Sequence, residues 1–175
     1  NPDNEVLYYK KTQNKIKSLC TTFVSRSIFP KLKSEKDKSK IQVIMAVDSA
    51  GVIHVLNTYD NLELKKLKIE PEPVSVIIDE EGKKVFFLHE QAEAVTVVDL
   101  NTLTRVGEYQ TGSKPNSMAL IKGSSPRLVV SNGGSNNIFV LNLNTGNIDS
   151  IIPIKGTPGS VQAFGQIPEF FVLDR

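Results

Sequence analysis

The chain has 175 residues, of which 39% are hydrophobic and 23% charged, a composition typical of a globular domain with a sizeable core. No stretch approaches the roughly twenty apolar residues that a membrane-spanning helix requires, and Asn1 to Asn4 do not resemble the start of a signal peptide. The single cysteine, Cys20, excludes an internal disulfide framework and a cysteine-based metal site. We interpret Cys20 as a small buried hydrophobic residue, and we predict no membrane-spanning segment.

Basic residues are concentrated in the first forty positions. Five lysines between residues 31 and 40 alternate with serine and acidic residues, and no aromatic side chain lies among them. Nucleic-acid surfaces for single strands combine basic grooves with aromatic stacking platforms. We therefore predict a solvated loop here and no nucleic-acid partner.

Two short apolar runs precede this lysine-rich stretch. Val6–Tyr9 and Ile16–Cys20 begin ten residues apart. Their apolar, aromatic and β-branched residues indicate two β-strands.

The remainder of the chain repeats with a fixed period. Two sets of residues mark it, three prolines and three Asn or Asp residues that end apolar runs, and members of each set are separated by 42 and then 43 residues. They are Pro73, Pro115 and Pro158, and Asn57, Asp99 and Asn142. A period of about 40 to 50 residues is a signature of β-propeller blades.

Each copy of the repeat indicates four short strands. In the third copy these are residues 117–121, 128–131, 138–142 and 147–154, with Asn144-Thr145-Gly146 forming the last hairpin turn. The second and third strands are continuously apolar, which indicates burial on both faces between neighbouring sheets. The sequence thus predicts an all-β fold, a part of a β-propeller with about four blades of four antiparallel strands each.

This pattern predicts three regions. Residues 1–40 form a degenerate partial blade with a lysine-rich loop, with Val6–Tyr9 and Ile16–Cys20 as its second and third strands. Residues 41–163 form three blades. Residues 164–175 begin a further blade, because Pro168–Asp174 aligns with Pro126–Asn132.

The copies resemble the YVTN family of β-propeller repeats. Leu128–Asn132 stands in the place of that family's Tyr-Val-Thr-Asn strand, Asn136–Asn142 resembles its third strand, and Gly156–Gly159 resembles its connection between blades. The resemblance covers about residues 41–175. WD repeats are disfavoured, because the chain has no tryptophan for the Trp-Asp dipeptide. A divergent WD-like propeller that lacks this signature stays open as the alternative. Kelch repeats are disfavoured, because paired glycines occur once, at Gly133-Gly134.

The number of blades leaves ring closure open. Closed propellers use about four to eight blades. We favour one segment of a six- to eight-bladed ring completed elsewhere, because no polar cap of a terminal repeat is visible. The alternative is a small closed ring.

The sequence contains no recognisable catalytic or cofactor motif. It lacks a P-loop, a G-x-S-x-G motif and an H-E-x-x-H motif, and it has two histidines, His54 and His89. We interpret His54 as a structurally satisfied strand residue. We predict no catalytic set, no cofactor and no metal site.

One face of the propeller is the candidate ligand or partner site. The resemblance implies that the loop after each second strand and the connection into each first strand lie together near the central channel. Polar residues from several blades would meet there. The candidates are Asp48, His89, Glu90, Asn116, Asn132 and Asp174.

Two classes of function follow. The favoured one is a non-catalytic propeller that binds proteins or acts as a scaffold, with a protein or another propeller segment as partner. The alternative is a hydrolase similar to lactonases with YVTN-like propellers, and a small-molecule ligand belongs to that alternative. The resemblance also implies an extracytoplasmic protein, periplasmic or at the cell surface, the alternative being cytoplasmic.

Overall fold

A computed structural model describes residues 14–29, 39–59, 62–163 and 169–174, and the regular secondary structure of these residues is almost wholly β-strand. Blade 1 contains β1 (Ile16–Ser25), β2 (Lys40–Asp48), β3 (Val52–Asn57) and β4 (Glu63–Lys68). Blade 2 contains β5 (Pro73–Asp79), β6 (Lys84–His89), β7 (Ala94–Asp99) and β8 (Thr104–Gln110). Blade 3 contains β9 (Pro115–Ile121), β10 (Arg127–Asn132), β11 (Asn137–Asn142) and β12 (Ile148–Pro153). Blade 4 contains β13 (Pro158–Ala163) and β14 (Phe170–Asp174).

Each complete blade is an antiparallel sheet whose strands follow chain order. A 3-10 turn, Arg26–Ile28, follows β1. Within the described ranges, no helix has the length and apolar character needed to cross a membrane. The prediction of an all-β, partial β-propeller is confirmed, with three complete blades and two strands of a fourth.

The repeated Asn or Asp at the end of each third strand has a local structural role. The side-chain oxygens of Asn57, Asp99 and Asn142 accept hydrogen bonds from the backbone N–H two positions later, at 3.1, 2.7 and 3.0 Å. Such turns satisfy backbone donors that the hairpin leaves unpaired. The period in the sequence therefore reflects a turn that every complete blade has to make.

The blades pack face to face, with their first strands adjoining one another. We call the face that a blade turns toward the next blade its leading face, and the opposite face its trailing face. In β6, Val85 and Phe87 join the core shared with blade 1, whereas Phe86 and Leu88 join the core shared with blade 3. Successive side chains of a strand point to opposite faces, so a strand buried on both faces is apolar throughout.

The assignment of Ile16–Cys20 to the third strand of a preceding blade is wrong. These residues begin β1, which pairs along β2 from Ile16–Asp48 to Ser25–Lys40 and is the first strand of blade 1. The long segment between β1 and β2 hides this pairing, since the equivalent segment in blade 2 has only four residues, 80–83. Val6–Tyr9, the other predicted strand, lies outside the described residues.

Blade 4 begins before residue 164. β13 pairs with β14 in one sheet, so residues 158–163 belong structurally with residues 170–174. The predicted boundaries at residues 40 and 163 therefore each fall inside one sheet, and the division of the chain into three regions stays a prediction.

Cys20 packs against the core between blades 1 and 2. Burial raises the pKa of its thiol to about 11, because the thiolate would be poorly solvated. We expect negligible alkylation of the folded protein by iodoacetamide at pH 8 and rapid alkylation in denaturant. Mass spectrometry of timed samples would measure both rates, and equal rates would contradict the described environment of Cys20.

Candidate functional site

The second strands of all four blades end at the same edge of the propeller. Asp48, His89, Asn132 and Asp174 are the last residues of β2, β6, β10 and β14. We call this edge, with the adjoining loops and blade connections, the strand-end face. The backbone of Asp174 pairs with Pro158, and its side chain lies outside the described part of the structure.

Asp48 is buried, with 3% of its surface exposed, and its carboxylate organises the turn between β2 and β3. One oxygen, Oδ1, accepts hydrogen bonds from the backbone N–H groups of Ala50 at 3.0 Å and Val52 at 2.9 Å. The other oxygen, Oδ2, accepts from Asn14 Nδ2 at 3.0 Å. The turn also needs Gly51, which has φ +77° and where a Cβ would lie 2.4 Å from the carbonyl oxygen of Ile69.

The ionised form of Asp48 is the favoured one. Burial by itself would raise the pKa of Asp48, but hydrogen bonds from Asn14, Val52, His54 and Ala50 outweigh burial and lower it below its usual range. The carboxylate is therefore a negatively charged structural acceptor at neutral pH.

His54 lies between two carboxylates on the trailing face of blade 1. Its Nδ1 is 2.6 Å from Glu63 Oε1, and its Nε2 is 3.5 Å from Asp48 Oδ2. The interpretation of His54 as a satisfied strand residue is confirmed. The two carboxylates contact opposite ring nitrogens of His54, so the side chains of Asp48, His54 and Glu63 do not point toward a common position. The sequence pattern does not reveal Glu63, since the irregular hairpin after Asn57 hides its proximity to His54.

Asn132 ties a blade connection to a hairpin. Its Oδ1 accepts from the Gly112 N–H at 3.1 Å, and its Nδ2 donates to Asn137 Oδ1 at 3.0 Å. The side chain is fully buried. The hydrogen bonds of Asn132 thus hold the connection between β8 and β9 against the end of β10.

Asn116 joins blade 3 to blade 4. Its Nδ2 donates to the Pro158 carbonyl at 2.7 Å, and its Oδ1 contacts the hydroxyl of Ser131. Ser131 Oγ also lies 2.7 Å from the carbonyl oxygen of Gly159 in β13. These contacts satisfy the polar groups of the blade connection, which is the role that the described geometry gives Asn116.

His89 is fully buried at the end of β6, and Glu90 next to it is half-buried. His89 Nδ1 lies 3.2 Å from the carbonyl oxygen of Pro71, which fixes Nδ1–H as the donor. Nε2 is buried with no hydrogen-bond partner among the described protein atoms. Burial lowers the pKa of His89, since the imidazolium would be poorly solvated.

This burial predicts a pH-dependent stability. The folded-state pKa of His89 lies below the unfolded value of about 6.5, so the unfolded chain binds the proton more tightly. The stability due to neutral His89 is complete above about pH 6.5 and is lost as the pH falls toward the folded-state pKa. His89→Asn, which keeps a donor toward Pro71, should flatten the dependence of unfolding free energy between pH 7.5 and 5. Urea denaturation at each pH would measure the unfolding free energy of both proteins, and its slopes against pH should differ by no more than about 1.4 kcal/mol per pH unit. Equal slopes for His89→Asn and the wild type would contradict the prediction.

Ion pairs join blades 1 and 2 to the connection between them. Lys17 Nζ of β1 lies 3.4 Å from Glu72 Oε1, and Arg105 Nη1 lies 3.0 Å from Glu70 Oε1. All four side chains are about a third or more exposed, so such pairs contribute little to stability. In the described part of the chain, no group of three or more His, Cys, Asp or Glu side chains is arranged to hold a metal ion.

Comparisons with known proteins agree on the fold. No protein-family model and no curated protein matches the sequence. The WD40 repeats of RRP9 match with a TM-score of 0.66 and 10% identity over 94% of this chain and 52% of that one. The β-propeller domain of Myceliophteria thermophila Cps50 (Swd1) matches with a TM-score of 0.64 and 11% identity over 75% and 46%. Kuenenia stuttgartiensis hydrazine synthase matches with a TM-score of 0.59 and 13% identity over 68% and 35%.

The chain therefore spans about half or less of the length of these similar structures. At such low identity the likeness shows the fold alone, and that fold is a β-propeller.

Proposed function

We propose that this chain is a non-catalytic β-propeller segment that binds proteins or serves as a scaffold within a larger propeller assembly. The observation that carries this proposal is the use of the polar side chains on the strand-end face. Asp48 and Asn132 are buried and hydrogen-bonded to local backbone, and Asn116 is hydrogen-bonded to the next blade. Side chains whose polar atoms are used in this way hold loops and blades together. A catalytic acid or base, by contrast, has to reach a substrate.

The outer surface of the same face suits protein contact. Glu93 and Lys114 are exposed in neighbouring loops, and Glu90 is half-buried beside them. Charged side chains at a rim steer association and select partners. The similar WD40 propeller domains agree with a binding role at the level of fold.

Finer parts of the proposal come from the sequence pattern. We assign the repeats to the YVTN type, on the strands and connections of residues 112–163. We also propose an extracytoplasmic location, periplasmic or at the cell surface. Digestion by a protease added to cells whose outer envelope has been permeabilised would test it, because a periplasmic or surface protein would then be cleaved, whereas a cytoplasmic protein would resist digestion until lysis.

Charge reversal on the strand-end face tests the binding role. The tagged protein should retain a defined partner in near-stoichiometric amount, and Glu90→Lys with Lys114→Glu should weaken that complex at least about tenfold. Lys122→Glu is the matched control, since Lys122 is exposed in the β9–β10 turn at the opposite edge. Equal loss in the control, or no stable partner for the wild type, would refute the binding role.

A second assay addresses the hydrolase alternative. The purified protein should not hydrolyse lactones, with or without added divalent cations. Turnover that disappears in His89→Asn, while that variant keeps its fold, would replace the scaffold proposal by the lactonase-like one.

A further inference from the structure

A cavity lies between blades 2 and 3, at the edge of the propeller opposite the strand-end face. The β5–β6 turn lines one side of it, and the β9–β10 and β11–β12 turns line the other. Its volume is about 240 Å³, several times the roughly 30 Å³ that a water molecule occupies in the liquid. Glu81, Lys122 and Asn144 line it and are exposed, so the cavity opens to solvent and has room for a small organic group.

A buried carboxylate lines this cavity. Asp79, the last residue of β5, is 6% exposed, and its Oδ1 accepts a hydrogen bond from the Gly82 N–H at 2.9 Å. Its Oδ2 lies over Gly82, where a Cβ would collide with it, and has no hydrogen-bond or ion-pair partner within the described ranges. One donor compensates incompletely for the hydration that a buried carboxylate loses. Oδ2 is therefore available to a ligand.

The next blade shows that the fold does not require an acid at this position. Asp79 faces blade 3, because Ile77, two residues earlier on β5, packs against the core shared with that blade. The equivalent residue, 42 positions later, is Ile121. Both residues pair with the first residue of the second strand, Lys84 or Arg127. Ile121 is 3% exposed and packs in the core between blades 3 and 4, so an apolar side chain fills there the place that the carboxylate has between blades 2 and 3.

The rest of the lining favours a cation with an aliphatic part. Leu120 and Pro126 are half-buried and form apolar portions of the wall on blade 3. Lys122 also lines the cavity, but no ion pair joins it to Asp79 among the described residues. Ammonium and guanidinium groups donate strong, charge-assisted hydrogen bonds to carboxylates, and their aliphatic chains pack on apolar surface.

From this cavity and its buried carboxylate, we infer that the turn edge between blades 2 and 3 binds an alkylammonium or alkylguanidinium group. The cationic head donates to Asp79 Oδ2, and the aliphatic chain packs on Leu120 and Pro126. This site goes beyond the binding role proposed for the strand-end face and does not depend on it.

Titration of the ¹⁵N-labelled chain with n-butylguanidinium, followed by NMR, tests the inference. The amide resonances of Gly82 and Asn144, on opposite sides of the cavity, should shift to saturation. Asp79→Asn keeps an acceptor for the Gly82 N–H but removes the charge, so binding should weaken about tenfold or more. Glu80→Gln is the matched control, since Glu80 is exposed on the same turn and does not line the cavity, and its affinity should stay within about twofold of the wild type.

Lys122→Gln gives an independent prediction of opposite sign. Because the ammonium of Lys122 repels a bound cation, this variant should bind n-butylguanidinium more tightly than the wild type. Butyrate, of similar length and opposite charge, should not shift the Gly82 and Asn144 resonances. An arginine between two glycines in a capped peptide distinguishes the source of the cation: binding of this peptide as well supports a site for a protein side chain, and binding of the free cation alone supports a site for a small molecule.

The inference is overturned if the wild type gives no saturable shift, if Asp79→Asn binds as tightly as the wild type, or if butyrate binds as tightly as the cation. Circular dichroism checks that Asp79→Asn folds. If it does not fold, Lys122→Gln decides, because an unchanged or weaker affinity in that variant would also overturn the inference. Glu90→Lys with Lys114→Glu, at the other edge, should leave cation binding unchanged, so the failure of either proposal is seen separately from the other.

Discussion

Replacing Phe86 by alanine is expected to lower the free energy of unfolding by about 3–5 kcal/mol. Phe86 is fully buried and lies in the core that blade 2 shares with blade 3, together with Met118 and Leu128. The substitution removes an aromatic ring from between two sheets whose backbones are held by their own hydrogen bonds, so the cavity cannot readily collapse. Guanidinium denaturation followed by circular dichroism would measure the change.

Tyr59→Ala is the matched control for Phe86→Ala. Tyr59 is 75% exposed, so its loss should change the free energy by no more than about 0.5 kcal/mol. If Phe86→Ala cost less than about 1 kcal/mol, the packing of blade 2 on blade 3 would have to be different from that described. A lower m-value in the variant would indicate instead that the blades had begun to unfold separately.

The fold is predictable from the sequence where the same local geometry recurs in every complete blade. Asn57, Asp99 and Asn142 recur because each third-to-fourth hairpin needs a side-chain acceptor at the same place. Their spacing is enough to predict the strand order of blades 2 and 3. The same pattern misassigns β1, because its partner β2 starts after residue 39 and nothing in the intervening lysine-rich sequence marks a hairpin.

The location of the candidate site is more predictable than its chemistry. The repeat places Asp48, His89 and Asn132 at equivalent strand ends, where the structure also has them. It does not show that backbone N–H groups occupy the Asp48 carboxylate or that Asn132 binds a blade connection. Such partners come from neighbouring turns, whose geometry a strand pattern does not specify.

The contacts of His54 illustrate the same limit. A histidine flanked by apolar residues in a strand indicates a core position, and His54 is indeed 7% exposed. Its carboxylate partners lie on two other strands, Asp48 at the end of β2 and Glu63 at the start of β4. This polar group lies on the trailing face of blade 1, where blades 2 and 3 have mainly apolar side chains. Among the described residues, this group most resembles the polar outer face that caps a terminal repeat.

Replacing Asp48 by alanine is expected to destabilise the protein by about 2–4 kcal/mol. The substitution leaves the N–H groups of Ala50 and Val52 without their side-chain acceptor and removes one carboxylate from His54. These groups are poorly accessible to water, which therefore replaces the lost hydrogen bonds incompletely. Asp99→Ala is the matched control, because Asp99 makes similar turn contacts in a more exposed hairpin and should cost only about 1 kcal/mol.

The effect of Asp48→Ala should also depend on pH in a defined direction. The folded-state pKa of Asp48 is below its ordinary value, so the carboxylate contributes stability that is fully present above about pH 4 and is lost as the pH falls through the folded-state pKa. The stabilities of wild type and Asp48→Ala should therefore converge on acidification below pH 4, whereas above pH 5 their difference should be constant. Urea denaturation from pH 2.5 to 7 would measure both. A difference that is unchanged at low pH would mean that Asp48 acts through its shape and packing, not through its negative charge.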